Sequence, residues 1–141
     1  MPFLLDTNVI SAARRPESQD PAFQGFLRDF GMSDAFLSSV TIMEIRFGIQ
    51  NEQSRNPAFA VALERWLKEI VLIGFADRII PFDLAIALRA GALTTPNRRP
   101  SIDAMIAATA IELKLHVATR NVAHFEPLGV TCLNPWRYAS A

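Results

Sequence analysis

Apolar residues fall into two rhythms along this 141-residue chain. Short buried-type runs bounded by turn residues predict strands at Phe3–Leu5, Phe36–Val40, Arg78–Pro81 and His116–Thr119, and Val130–Leu133 adds a fifth. Between them the apolar period lengthens to that of a helix. Val9–Ala13 predicts a brief helix. A second opens at Pro21, carries Phe23, Phe26, Leu27 and Phe30 at helical spacing, and stops at Gly31. Thr41 is expected to cap a helix through Ile49, with Glu44 three residues on, the spacing of a capping box. Asn56-Pro57 opens a long helix whose apolar face is Phe59, Leu63, Trp66, Leu67 and Ile70. Asp83 precedes an Ala- and Leu-rich helix to Leu93, and Ser101 caps another through Lys114. Arg14–Ser18 and Thr94–Pro100 read as polar loops.

Alternating strands and helices predict an α/β fold with a central, mostly parallel sheet of four to five strands flanked by helices. With no linker or repeat, residues 1–141 are expected to form a single domain. The order has a geometric consequence. The helix ending at Lys114 feeds the strand at His116 through almost no loop, so the two run antiparallel. The helix start, with Asp103, then lies at the end where the strand exits towards Asn121 and His124. Asp6 and Glu44 follow the first and second strands at that same edge, where open α/β sheets bind ligands.

Each acid alone has a structural explanation. Asp6 suits a helix N-cap, Glu44 a capping box with Thr41, and Asp103 the favourable first turn of a helix dipole. Three acids from three separate elements at one edge are harder to explain that way. Carboxylates ~5 Å apart repel by roughly 3 kcal/mol at an effective dielectric near 20. Such a cluster is expected to hold a cation, and a cation at a sheet edge suggests phosphate chemistry.

Fourteen basic and fourteen acidic residues cancel, which excludes a polycation and leaves nucleic-acid binding to a local patch or a basic partner. Twelve of the fourteen bases are arginine, and Arg14, Arg15, Arg98, Arg99 and Arg120 are candidate phosphate contacts. A single cysteine, Cys132, excludes an intrachain disulfide and reads as a buried small hydrophobe. The N-terminus has no basic leader, and no apolar run approaches the ~20 residues that span a bilayer. A soluble cytoplasmic protein without membrane attachment is expected. A phosphorylation receiver is disfavoured because Asp6 has no acidic neighbour and neither lysine follows a strand. An Asp-x-Asp phosphatase fails because residue 8 is Asn.

Four segments carry a resemblance: Leu4-Leu5-Asp6-Thr7-Asn8-Val9, Ser39 to Ile49 around Glu44, Asp103 to Ala110, and Ala118-Thr119-Arg120-Asn121-Val122-Ala123-His124-Phe125. In this order they resemble the PIN-domain signature, and Leu133-Asn134-Pro135-Trp136 is similar to the ending of its VapC/FitB-like branch. The likeness runs from Leu4 to Trp136. It implies a Mg²⁺- or Mn²⁺-dependent endoribonuclease, the toxin of a toxin–antitoxin pair. By motif position Asp6, Glu44 and Asp103 take the metal-binding roles, with Asp6 and Asp103 on the main cation and Glu44 direct or through water. Asn121, with Thr119, would orient substrate or water. The family usually has a fourth acid where this chain has His124, which removes one negative charge. His124 would ligate a second cation, shuttle a proton or, the favoured reading, act from beside the metal.

The same resemblance implies partners: RNA as substrate, a cognate antitoxin through which any DNA contact is made, and a second copy in a homodimer. Phe23, Phe26, Phe30, Phe47 and Phe59 exceed what a small core obviously needs; most are expected to pack in the core and some to line such surfaces. The alternative is a catalytically weakened PIN-fold regulator acting through a DNA-binding antitoxin, a reading that His124 keeps open.

Overall fold

Every residue of the first strand is buried, and its side chains alternate between two cores. The structure, a computed structural model, describes residues 2–140. In β1 (Phe3–Leu5), Phe3 and Leu5 enter one apolar cluster and Leu4 the other, so both faces of the sheet are covered. β4 (His116–Ala118) pairs with β1 in parallel, Phe3 opposite His116 and Leu5 opposite Ala118. β5 (Cys132–Leu133) adds to the outside of β4, also parallel. On the other side β2 (Leu37–Ser38) pairs in parallel with β3 (Ile79–Ile80). This ribbon joins the three-stranded sheet through a parallel bridge between Leu4 and Phe36. The Leu5 amide donates to the Phe36 carbonyl at 3.0 Å, and the Phe36 amide to the Phe3 carbonyl at 2.9 Å. The resulting order is β3-β2-β1-β4-β5. Chain progression reverses direction beside β1, which opens a crevice beyond the ends of β1 and β4.

Helices cover both faces. α1 (Thr7–Ala13), α2 (Pro21–Phe30), α3 (Ser39–Arg55) and α4 (Pro57–Trp66) enclose the first cluster. α6 (Leu84–Ala92) packs on α7 (Ile102–Leu113), which with α8 (Val122–Phe125) encloses the second. No helix among the described residues is long and apolar enough to cross a membrane.

Two differences from the sequence reading have local causes. The second strand is two residues, not the five of Phe36–Val40, because the Ser38 hydroxyl accepts the Val40 amide at 3.0 Å and starts α3 at Ser39. Thr41 therefore lies inside the helix, not at its cap; it is fully buried, and its hydroxyl has no hydrogen-bond partner among the described residues. The second difference follows α4. Asn56 caps that helix by accepting the Phe59 amide at 3.2 Å, as its Asn-Pro start suggested. The chain then makes a π turn over Leu67–Val71 before a last turn, α5 (Leu72–Gly74). The extra residue rotates the apolar face. Val71 is fully buried, while Ile70, expected inside, is 61% exposed. Of the five phenylalanines singled out, Phe23 and Phe26 are core, Phe30 and Phe59 are partly buried, and Phe47 is 61% exposed.

Candidate active site

Asp6 follows β1 and is 5% exposed. It caps α1, one carboxylate oxygen accepting the Thr7 amide at 2.8 Å. Capping uses only that oxygen. The other accepts the Thr119 hydroxyl at 2.8 Å and the Asn8 amide nitrogen at 3.2 Å. Thr119 sits just past β4 and is fully buried, so the adjacent parallel strands β1 and β4 hold the acid between them. Asp6 forms no ion pair among the described residues. Burial pushes its carboxyl above the ordinary 3.8, and the negative charge of Asp103 adds to the rise. The bonds from Thr119, Thr7 and Asn8 offset only part of it.

Glu44 projects from α3, half-buried. Its partner is not Thr41, as the capping-box spacing suggested, but the Thr7 hydroxyl, which donates a short hydrogen bond to Oε1. Thr7 thus ties Glu44 to the residue beside Asp6. The Glu44 carboxyl is also raised, first by burial and then by the charges of Asp6 and Asp103, with the Thr7 bond opposing. Asp103 lies in the first turn of α7, whose cap is Ser101, accepting the Ala104 amide at 3.0 Å. Its carboxylate faces His124 of α8, Nδ1 to Oδ2 3.5 Å. The three acids therefore share one electrostatic neighbourhood at the predicted sheet edge. Residues 3–126 match the PIN domain family.

The chain belongs to the PIN-domain family. It is 36% identical to the toxin FitB of Neisseria gonorrhoeae, covering 94% of this chain and 97% of that protein. It is 35% identical to the VapC ribonuclease Y4jK of Sinorhizobium fredii, over 96% and 99% of the two chains. The solved structure of FitAB bound to an IR36 DNA fragment superposes with a TM-score of 0.78 at 30% identity, covering 99% of each chain.

Within this PIN domain Asn121 is exposed, and its backbone amide donates to the Thr119 hydroxyl at 2.9 Å. That hydroxyl is doubly used, on Asp6 and on Asn121, so Thr119 positions these two residues and is not free to meet substrate. His124 is exposed and stands against Asp103 at the rim. Sequence reasoning overlooked Thr7 and Asn8. Asn8 donates to Asp6 and its Oδ1 accepts the Arg120 amide at 3.3 Å, linking the turns after β1 and β4. The available signal was their place, a hydroxyl and an amide directly after the acid that ends a buried strand. Arg120, a candidate phosphate contact, sits over the Trp136 ring with its guanidinium carbon 3.8 Å from the centroid. Cys132 is half-buried; burial, Glu126 and Asp6 push its thiol up to about 11.

The donor set suits a hard divalent cation. It is all oxygen, carries excess negative charge and has raised proton affinity at a buried acid lacking a cationic partner. Among the described residues no three His, Cys, Asp or Glu side chains are grouped closely enough to ligate one ion together. The arrangement fits an ion taken by one or two carboxylates with water completing its shell.

Proposed function

We propose that this PIN chain is the ribonuclease toxin of a toxin–antitoxin pair, hydrolysing RNA phosphodiesters with Mg²⁺ or Mn²⁺. The observation that carries the reading is a buried carboxylate, Asp6, bound on all sides by neutral donors and facing two further acids. The names and near-complete coverage of the FitB toxin and the VapC ribonuclease Y4jK support it.

Asp6 and Asp103 would hold the cation, with Glu44 reaching it through water. When bound, the cation supplies positive charge to the phosphate and lowers the cost of deprotonating water. Thr119, Thr7 and Asn8 fix the Asp6 carboxylate, so the acid needs no reorganisation as substrate binds. Thr7 fixes Glu44 in the same way. Asn121 would hydrogen-bond a phosphate oxygen or the attacking water. His124 takes the position of the family's fourth acid; it orients Asp103 and, when protonated, adds positive charge where the family pattern has negative.

The FitAB assembly on DNA supports an antitoxin partner that makes the DNA contact on behalf of a chain with no net charge. Exposed Met43 and Phe47 on α3, and Leu84 and Leu88 on α6, supply apolar surface for the antitoxin and for a second copy of the chain. The test is direct. Purified protein should cut RNA with Mg²⁺ or Mn²⁺ and stop on chelation, and Asp6→Asn should be inert while folded. Equal cutting by Asp6→Asn would refute the site, and no cutting by either would refute the nuclease.

A further inference from the structure

A cleft of about 310 Å³, lined by Asp103 and His124, opens between the loop over 94–100 and α8. Asp103 and His124 form one wall. Ala123, Pro127 and Leu128 give an apolar floor, and Pro96 and Asn97 form the opposite wall. The loop that carries this wall is not slack. Thr95 is 6% exposed, and its hydroxyl both donates to the Arg99 carbonyl at 2.6 Å and accepts the Arg99 amide at 3.0 Å. The Arg98 amide closes a further turn onto the Thr95 carbonyl at 3.1 Å. To make that ring, Arg98 adopts a φ of 57°, one of two non-glycine residues among the described residues in the left-handed region. The other, Lys114, ends a helix, where such a conformation is common. Arg98 ends none. A strained, doubly pinned loop forming the wall of a cleft beside catalytic acids points to a shaped subsite.

The shape and chemistry fit a nucleobase. A largely apolar cleft with a few polar groups is how unstacked RNA bases are held, against imidazole planes and with their edges read by amides. Asn97 Oδ1 is engaged, accepting the Arg99 amide at 3.3 Å, so the side chain presents its NH₂ as a donor. The cleft shares Asp103 with the acid cluster, so a base seated there belongs to the nucleotide next to the scissile phosphate. We propose that this cleft binds that base and that Asn97 selects it by donating to an acceptor on its edge. The inference rests on the ribonuclease reading and names the determinant of its sequence preference.

The experiment uses the full-length protein on a random-sequence single-stranded RNA pool, with product ends sequenced and Asp6→Asn as the control for contaminating nuclease. The variants are Asn97→Ala, which removes the donor, and Ala123→Leu, which fills the floor; both positions are exposed. Wild type should enrich one base at a fixed position beside the cut. Asn97→Ala should lower that enrichment about fivefold, the worth of one hydrogen bond. Ala123→Leu should flatten it and raise KM. A parallel measurement reads binding alone: fluorescence anisotropy of uncleaved RNA pentamers, differing in one base, on Asp6→Asn with and without the second change. Cutting with no base preference beside the scissile bond, or a preference unmoved by both variants, overturns the base site and spares the nuclease. Base-selective binding lost with Asn97→Ala in a protein that never cuts supports the cleft and refutes the nuclease reading instead.

Discussion

Replacing Asp6 by Asn should make the metal-free protein more stable at neutral pH. The amide keeps the carbonyl that accepts the Thr7 amide, and its new NH₂ can donate to the Thr119 hydroxyl, which turns to accept. The 3.2 Å bond from Asn8 then meets donor with donor, and the turned Thr119 hydroxyl, which already accepts the Asn121 amide, loses the acceptor for its own proton. Against these losses stands the removal of a buried charge whose desolvation, together with the repulsion of Asp103, outweighs its hydrogen bonds, since the carboxyl is raised. The gain should read as a higher Tm, each kcal/mol being worth about 3 °C in a chain of this length. The pH dependence has a fixed sign. The native state holds the Asp6 proton more tightly than the unfolded chain, so the wild-type penalty is fully present above the raised pKa. It fades as pH falls through that pKa and is gone below the ordinary 3.8. The advantage of Asp6→Asn should shrink in step. Mg²⁺ should act oppositely, raising wild-type Tm by roughly 8 °C at one hundred times its dissociation constant and the variant much less. Differential scanning fluorimetry across pH and Mg²⁺ reads all three effects. A variant several degrees less stable at neutral pH, beside a wild type indifferent to Mg²⁺, would refute the account of a buried, cation-seeking carboxylate.

Other substitutions test separate links. Ser38→Ala should cost about 1 kcal/mol by removing the α3 cap, whereas Thr41→Val should be neutral or stabilising because its buried hydroxyl has no partner; urea melts with the opposite ranking would restore the capping-box reading. Thr119→Val should leave the fold intact but remove one of the two hydrogen bonds on an Asp6 oxygen and release the Asn121 amide, lowering kcat by more than tenfold with KM little changed; a pure KM effect would place Thr119 on substrate instead. His124→Asp restores the family's fourth acid and should tighten Mg²⁺ binding by calorimetry, and an unchanged titration would remove residue 124 from the site. Arg120→Ala should weaken RNA binding for all sequences and lower the salt slope by about one; an unchanged slope would leave Arg120 a purely structural partner of Trp136.

The strand–helix alternation and the short connection from Lys114 to His116 made the parallel sheet and its ligand edge legible in the sequence. The position of Asp6, Asp103, Asn121 and His124 at that edge then followed from chain order, because a parallel strand can leave the sheet only at one end. What the sequence hid was set by long-range hydrogen bonds. Glu44 has the spacing of a capping box with Thr41, and only the packing of α1 on α3 shows that Thr7 claims it. Asn8 and Thr119 are short polar residues of the kind that fill turns, and their role appears only when β1 and β4 lie side by side. The misplaced Ile70 has a different origin. A π turn leaves no mark in a pattern read at 3.6 residues per turn, yet it moves burial by one residue. Arg98 escaped for a related reason, since arginine gives no sign of a left-handed backbone that a buried threonine imposes from three residues away.

The most direct measurement of the central claim is the anomalous difference map of crystals soaked in Mn²⁺. A peak touched by the carboxylates of Asp6 and Asp103, with Glu44 within one water of it and the peak lost in Asp6→Asn crystals, is the result expected. A fully active protein whose Mn²⁺ binds elsewhere, or whose cutting persists after complete chelation, would contradict it.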